Sequence, residues 1–310
     1  MKTIGWIFIG LTTVVIGCTS KVKKETDHAS ETPAPPKKFE RVAPPALITE
    51  PKDRAGYMIT HFWDNFDFRD TTYCHKPEIT EQAFVDFIAL FPYADYSKVT
   101  EGVKKLLDSA AVEVVMYNYF IQQAEHYLFD PNSRMYNEEF YIPFLEQVVA
   151  SPRVMDEYKI RPQQLLQLAY RNRPGAKAED IVYTTASGKT GRLYAITAPY
   201  VLMMFYNPDC HECKQTTEQL KNAPVISSAV ASGKVKVLAV YPDEKLEIWR
   251  NHLNDIPAAW INGYDKEQVL RNTQTYDLKA IPTLYLLDKD KKVILKDAPF
   301  EVIQDYLSRN

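Results

Sequence analysis

The sequence predicts a chain of two folded parts, an all-α N-terminal domain over residues 53–174 and an α/β domain over residues 175–310. Three observations predict this division. Apolar residues recur at helical spacing in the first part, strand-like apolar runs alternate with helical segments in the second, and a Cys-x-x-Cys pair follows one of those runs. A length of 310 residues suits two domains.

Residues 1–17 have the composition of a targeting segment and are left out of the fold prediction. Lys2 supplies a positive charge, and residues 4–17 are mostly apolar but short for a membrane span. The segment ends in Val-Ile-Gly followed by Cys18, which resembles the lipobox of bacterial lipoproteins. The resemblance implies that Cys18 is lipidated and anchors the mature chain in the bacterial cell envelope, facing the periplasm. An ordinary cleaved signal peptide is the alternative.

Residues 18–52 have the composition of a flexible tether. The segment is polar, and prolines recur at positions 33, 35, 36, 44, 45 and 51. Such a segment buries too little apolar surface to offset the entropy of ordering it, and its prolines favour a partly extended chain. We expect it to act as a spacer between the membrane and the folded domains.

The helical domain is predicted from four apolar stripes and a final helix. The stripes are Phe84, Phe87, Ile88 and Phe91; Val99, Val103, Leu106, Leu107 and Ala110; Val112, Val115, Met116, Tyr119 and Phe120; and Phe140, Phe144, Leu145 and Val148. The final helix is expected over residues 162–173, with Pro162 in its first turn and Pro174-Gly175 as its stop. We expect these stripes to form one shared core.

The second domain is predicted to have the order β-α-β-α-β-β-α after an opening strand. The expected strands are 181–184, 200–206, 235–241, 283–288 and 292–295, and the expected helices are 210–220, 244–253, 266–272 and 300–307. The run "YVLMMFY" is continuously apolar, as in a strand that is buried on both faces.

Cys210 and Cys213 stand at the predicted start of a helix. The free backbone N–H groups and the dipole of a helix N-terminus favour the thiolate of a cysteine placed there. The second cysteine lies one turn further on, close enough to form a disulfide. Two other interpretations remain open: a metal site, which needs two further ligands, and a redox-inert pair.

These cysteines, together with "KAIPTLYLLD" at residues 279–288, resemble the thioredoxin fold, and the resemblance covers residues 178–310. It implies a central mixed sheet flanked by helices, with Cys210 as nucleophile and Cys213 as resolving thiol. It also implies that Ile281 and Pro282, joined by a cis peptide bond, face the cysteines and bind substrate. The lipobox and the sequence "YNPDCHECK" together look most like those of the TlpA/ResA-type envelope thiol-disulfide oxidoreductases.

Four residues bear on how this pair is tuned. His211 and Glu212 lie between the cysteines, and we expect opposite effects on the thiolate from their charges. The resemblance also implies a carboxylate six residues before the first cysteine or three residues after the second. Met204 and Thr216 occupy those positions. This departure puts efficient proton transfer in question, and leaves the disulfide chemistry itself in place.

The predicted function is a membrane-anchored thiol-disulfide oxidoreductase, with reductase favoured by analogy to the TlpA/ResA relatives. Its expected partners are disulfide-bearing envelope proteins and a membrane or periplasmic thiol electron donor, and no cofactor or metal is implied. The net charge of −3 carries no basic excess of the kind that nucleic-acid binding requires. The alternative is a non-catalytic scaffold lipoprotein with a redox-inert thioredoxin fold.

The resemblance of the helical domain to known sequences implies no activity. The stretch "YMITHFWDNFDFRDTTY" resembles the opening of a helical domain of unknown function that occurs in Bacteroides-group lipoproteins, with a match over residues 55–173. We interpret His61 and the aspartates at 64, 67 and 70 as polar helix-face and capping residues. Cys74 is interpreted as a buried, unreactive cysteine, with pairing to Cys210 or to a partner as the alternative.

Overall fold

The structure is a computed structural model that describes residues 39–310. The predicted targeting segment, Cys18 and the tether up to residue 38 lie outside the described residues. Within residues 39–310, none of the helices combines the length and the apolar character needed to cross a bilayer.

Six α-helices make up the first part of the described chain. They are α1 (Pro51–His61), α2 (Thr80–Ile88), α3 (Tyr96–Ala110), α4 (Val114–Ala124), α5 (Glu138–Ala150) and α6 (Asp156–Ala169). One π-helical turn, Glu125–Phe129, continues α4, and short 3₁₀ turns lie at Thr71–His75 and Phe91–Tyr93. The prediction of an all-α domain is confirmed.

The predicted stripes on α2, α3 and α5 largely form a single aromatic-rich core. Phe84 and Phe87 on α2 are fully buried, and Trp63 lies 5.0 Å from the ring of Phe120 between ring centroids. The stripe on α4 is only partly correct, because Val112 and Val115 are about half exposed. Helix α4 begins only at Val114, so Val112 precedes the helix and Val115 lies in its first turn.

Helix α6 begins at Asp156, and the sequence-based start at Pro162 is wrong. Asp156 and Glu157 lie in the first turn, where the positive end of the helix dipole favours negative charge. Pro162 therefore lies inside the helix. The helix ends at Ala169, and Asn172 then adopts a left-handed conformation with φ of 52°, which ends the helical path before Pro174.

Residues 39–50, which the sequence assigns to the tether, contact the helical domain. The ring of Phe39 stacks on Trp63 with centroids 5.6 Å apart and an interplanar angle of 5°. Arg41 forms an ion pair with Asp86 on α2. Phe39 thus packs against the core of the helical domain, although it belongs to a proline-rich segment.

The second part is a seven-stranded mixed sheet in the order β2-β1-β5-β4-β3-β6-β7. The strands are β1 (Val182–Thr185), β2 (Thr190–Arg192), β3 (Tyr200–Phe205), β4 (Val235–Tyr241), β5 (Ile261–Tyr264), β6 (Thr283–Asp288) and β7 (Val293–Lys296). Strand β3 pairs in parallel with β4 and antiparallel with β6. The predicted mixed sheet is confirmed, whereas β2 and β5 are additional to the sequence-based strands.

Helices cover the sheet, and the two faces of β3 pack into separate apolar cores. The helices are α7 (His211–Asn222), α8 (Pro224–Ala231), α9 (Leu246–Asn251), α10 (Val269–Thr273) and α11 (Phe300–Arg309). Leu202 and Met204 contribute to the core that contains residues of α7, α8 and α11, while Val201, Met203 and Phe205 contribute to the other. This double burial explains why the strand is apolar at every position.

A buried charge cluster joins the two parts, which belong to one compact unit. Glu138 on α5 is 6% exposed; its Oε1 lies 3.1 Å from Nζ of Lys279, and its other oxygen pairs with Lys296. Lys279 also lies 2.9 Å from Asp277. Burial alone raises the pKa of Glu138, but the attraction of Lys296 and Lys279 outweighs it and lowers that pKa. We call Glu138, Asp277, Lys279 and Lys296 the interdomain charge cluster.

Candidate active site

Cys210 occupies the N-cap position of α7, directly after the loop that follows β3. Its Sγ accepts a hydrogen bond from the backbone N–H of Cys213 at 3.3 Å. This N–H has no partner within the helix because it lies in the first turn. A negative charge on Cys210 Sγ is therefore stabilised by a backbone donor as well as by the helix dipole. The side chain is half-buried, which leaves it within reach of solvent.

Cys213 lies in a different environment, although it is only one turn away. It is 1% exposed, and its Sγ accepts a hydrogen bond from the backbone N–H of Asn207 at 3.5 Å. Burial, and next the hydrogen bond with Cys210, raise the pKa of the Cys213 thiol far above its usual value. Both cysteines are free thiols in this structure. One sulfur is partly accessible and accepts a backbone hydrogen bond, and the other is enclosed with a raised pKa.

Ile281 and Pro282 lie opposite the cysteines, as the sequence predicts. The peptide bond between them is cis, and the carbonyl oxygen of Ile281 accepts a hydrogen bond from Cys210 Sγ at 3.5 Å. Sheet register explains how residues so distant in sequence meet. Thr283 at the start of β6 pairs with Phe205 at the end of β3, so the loops beyond these strand ends lie side by side.

His211 and Glu212 are exposed on the first turn of α7. The negative charge of Glu212 adds to the raised pKa of Cys213, after burial and the hydrogen bond with Cys210. An effect of these two side chains on the reactivity of Cys210 stays a prediction.

Asn207 is a residue of the site that sequence reasoning missed. Its backbone N–H contacts Cys213, its Oδ1 accepts a hydrogen bond from the N–H of Asp209 at 2.9 Å, and its Nδ2 donates to Oδ2 of Asp243 at 2.8 Å. It thereby joins the loop before the cysteines to the loop after β4. The only sequence signal is an asparagine preceding a proline in a loop, a common turn pattern.

The two positions at which the family resemblance implies a carboxylate hold neutral side chains. Met204 is fully buried, with its Sδ 3.9 Å from the hydroxyl of Thr217. Thr217 also donates a hydrogen bond to the carbonyl oxygen of Cys213 at 2.8 Å. Thr216 is half-buried on the same helix.

Cys74 lies in the helical domain, where its Sγ donates to Sδ of Met116 at 3.8 Å. Burial raises the pKa of this thiol. Cys74 is only half-buried, at the margin of the helical core, so the predicted full burial is wrong, and its lack of reactivity stays a prediction.

The polar residues near α1 have local partners. Nδ1 of His61 lies 2.7 Å from Oδ2 of Asp64, Asp67 accepts from the N–H of Arg69, and Asp70 accepts from the N–H of Thr72. Across residues 39–310, no three His, Cys, Asp or Glu side chains are grouped as metal ligands.

Comparison with known proteins identifies both parts of the chain. Residues 17–172 match the family described as a domain of unknown function (DUF5106), and residues 199–293 match a family described as thioredoxin-like. A crystal structure of a thioredoxin-like protein from Bacteroides caccae is 47% identical, with 88% of this chain and 99% of that chain covered and a TM-score of 0.85. The chain therefore belongs to the family in which this helical domain of unknown function precedes a thioredoxin-like domain.

Two further solved structures are similar to the C-terminal part. The C-terminal domain of an uncharacterized protein from Bacteroides fragilis is 51% identical, with 44% of this chain and 98% of that chain covered and a TM-score of 0.44. A domain of a possible thiol-disulfide isomerase from Cytophaga hutchinsonii is 26% identical, with coverage of 45% and 94% and a TM-score of 0.39. Among curated proteins, none matches the chain.

Proposed function

We propose that this protein is a thiol-disulfide oxidoreductase with Cys210 as its nucleophile. One observation carries the proposal: Cys210 Sγ lies between the N–H of Cys213, at 3.3 Å, and the carbonyl oxygen of Ile281, at 3.5 Å. The N–H of Cys213 stabilises a thiolate at Cys210. The backbone around the Ile281 carbonyl is where an extended substrate segment is able to form main-chain hydrogen bonds.

The two cysteines carry out the reaction in two exchanges. The Cys210 thiolate attacks one sulfur of a substrate disulfide, which forms a mixed disulfide and releases the other substrate sulfur as a thiolate. Cys213 then loses its proton and attacks Cys210 Sγ, which releases the second substrate thiolate and forms the Cys210–Cys213 disulfide. Two electrons pass from the protein to the substrate, and an external dithiol returns them.

The direction we propose is reduction of disulfides in envelope proteins. A membrane or periplasmic thiol protein is then the electron donor that restores Cys210 and Cys213. Support for this direction comes from the resemblance of the motif to TlpA/ResA-type proteins, which is an argument by analogy. His211 and Glu212 are proposed to adjust the reactivity of the pair from the exposed side of α7.

We also propose that Cys18 is the site of lipid attachment and that the folded domains face the periplasm. The apolar segment before Cys18 supports this proposal. Growth of cells that express the full chain with a labelled fatty acid tests it. Label is expected in the wild-type chain and absent in Cys18→Ser, and equal labelling of both refutes lipid attachment at Cys18.

Trapping of a partner tests the oxidoreductase proposal against the scaffold alternative. Cys213→Ser keeps the nucleophile and removes the resolving thiol, so it is expected to accumulate a mixed disulfide with envelope proteins. Cys210→Ser is the matched control and is expected to trap none. If neither variant traps a partner, the scaffold interpretation is favoured.

Redox titration provides the first independent measurement. Thiol alkylation with mass spectrometry is expected to show one reversible two-electron transition at Cys210 and Cys213, in the range of about −200 to −300 mV known for thioredoxin-like reductants. A pair that never forms a disulfide rules out the proposed chemistry.

A further inference from the structure

A cleft of about 630 Å³ lies between the helical domain and the thioredoxin-like domain. Phe129 after α4 and Leu165 and Leu168 on α6 line it from the helical side. Leu278 and Ile281, in the segment between α10 and β6, line it from the other side. Its size falls in the range of about 300–1,000 Å³ that is typical of ligand pockets.

The cleft adjoins the candidate active site, although neither cysteine lines it. Ile281 lines it, and the carbonyl oxygen of Ile281 is the group that contacts Cys210 Sγ. Asp243 lines it as well and binds the side chain of Asn207, which in turn contacts Cys213. A molecule in the cleft is therefore separated from the two cysteines by residues that contact them, Ile281 and the Asp243–Asn207 pair.

Residues of the helical domain bind the segment after α10, which leads to the thioredoxin-like side of the cleft. Nη1 of Arg171 donates to the carbonyl oxygens of Thr273 at 2.6 Å and Gln274 at 2.7 Å, and Nδ2 of Asn172 donates to that of Thr275 at 2.8 Å. Lys279 is fixed by the interdomain charge cluster. The segment that carries Ile281 is thus positioned by both domains before any substrate arrives.

The lining is mostly apolar, and its charged members already have partners. Phe129, Leu165, Leu168 and Leu278 are all only half-buried, so they retain apolar surface in contact with solvent. Arg271 forms an ion pair with Glu244, Lys279 forms ion pairs with Glu138 and Asp277, and the carboxylate of Asp243 accepts a hydrogen bond from the amide of Asn207. This chemistry favours an uncharged, apolar occupant over an ionic one.

We propose that the cleft binds the polypeptide segment next to the target disulfide of a substrate, and that it selects segments with a large apolar side chain near the reacting cysteine. The proposal rests on the function proposed above. A polypeptide fits better than a small molecule because Ile281 lines the cleft next to β6, so a chain lying along this segment is able to form main-chain hydrogen bonds while its side chains enter the cleft. The helical domain then serves as half of the substrate-binding site.

The test uses the full chain and two peptides. Each peptide has one cysteine in a mixed disulfide with 2-nitro-5-thiobenzoate, and they differ only in a leucine or a serine two residues from that cysteine. The same mixed disulfide of free cysteine is the small probe, and the release of the coloured thiolate gives each rate. The wild-type protein is expected to react about tenfold faster with the leucine peptide than with the serine peptide.

Leu168→Glu places a charge in the cleft and is expected to reduce this ratio to about 2 or less, with the small-probe rate unchanged. Ile160→Glu is the matched control on α6, since Ile160 is 56% exposed and lies outside the cleft lining; it is expected to keep the wild-type ratio. If the Leu168→Glu protein does not fold, Leu168→Ser is measured in the same way.

Each other outcome has a defined meaning. A wild-type protein that does not discriminate between the peptides, or a Leu168→Glu protein that still does, overturns the cleft proposal while leaving the oxidoreductase intact. No reaction with the small probe overturns the proposed function itself. A dimer that only Leu168→Glu dissociates would identify a second copy as the occupant. Competition by a peptide of residues 19–38 would identify the chain's own N-terminal segment, and either result overturns the proposal.

Discussion

Cys210 and Cys213 are neighbours on one helical turn, yet their surroundings prepare them for different steps. The first is half-buried and accepts a backbone hydrogen bond, whereas the second is 1% exposed. The position of both residues and of Ile281-Pro282 could be predicted from sequence because the motifs fix them locally. The role of Asn207 could not be predicted from sequence, because it depends on a hydrogen bond to Asp243 in another loop.

The first prediction concerns the pH dependence of the resolving step. Burial is the main cause of the raised pKa of Cys213 and persists when Cys210 carries a substrate, so we expect its thiolate to be scarce at neutral pH and its attack on the mixed disulfide to be slow there. Below that pKa the thiolate fraction, and with it the rate, is expected to rise about tenfold per pH unit between about pH 7 and 9. Rapid-quench measurement from a preformed mixed disulfide checks this. A rate independent of pH would show that another group takes the proton.

The second prediction concerns the missing proton acceptor. Thr216 lies three residues after Cys213 on α7, so a carboxylate there would share a helix face with the buried thiol. Thr216→Glu is expected to accelerate the resolving step about tenfold at pH 7 by general base catalysis. Thr216→Gln, which has the same shape without the charge, is the control. Equal rates for the two variants would contradict a role for the carboxylate.

Among the elements, the long periodic helices and the central strands could be predicted, whereas short elements could not. Strand β5 has four residues, including Asn262 and Gly263, and so gives no apolar pattern. It is stabilised by neighbours: Oδ1 of Asn262 accepts hydrogen bonds from Tyr206 at 2.8 Å and Trp249 at 2.9 Å. The sequence places the start of α6 too late, because a proline such as Pro162 is typical of the first turn of a helix and here lies inside it.

The third prediction concerns the contact between α1 and α3. A Cβ at Gly102 would clash with Cγ2 of Ile59 and would lie 3.0 Å from the carbonyl oxygen of Ile59, so the helices would have to separate. Gly102→Ala is expected to lower the free energy of unfolding by about 1–3 kcal/mol.

Gly56→Ala is the matched control for Gly102→Ala. A Cβ at Gly56 meets mainly the flexible side chain of Lys98, with 3.1 Å to its Cγ. Because alanine is favoured over glycine inside a helix, this variant is expected to be neutral or more stable by up to about 1 kcal/mol. Urea unfolding measures both variants, and equal destabilisation would argue against the close helix contact.

In the molecule as a whole, the interdomain charge cluster is the contact whose loss is expected to matter most. Glu138→Gln leaves Lys279 and Lys296 buried with less compensating charge, and the free energy of unfolding is expected to fall by about 3 kcal/mol. Glu139→Gln is the control. The pair of Glu139 with Arg173 is about 30% exposed, so its loss is expected to cost less than about 1 kcal/mol. Urea unfolding distinguishes the two, and similar losses would contradict a special role for the buried pair.

The same cluster limits how the two halves of the gene are able to change. Glu138 is encoded in the helical half, and its partners Lys279 and Lys296 are encoded in the thioredoxin-like half. A recombinant that received a new C-terminal half without both lysines would place an unpaired carboxylate at a closed interface. We therefore expect the two halves to be exchanged between relatives as one unit, because a thioredoxin-like half acquired alone would lack Glu138, the partner of the lysine two residues before Ile281.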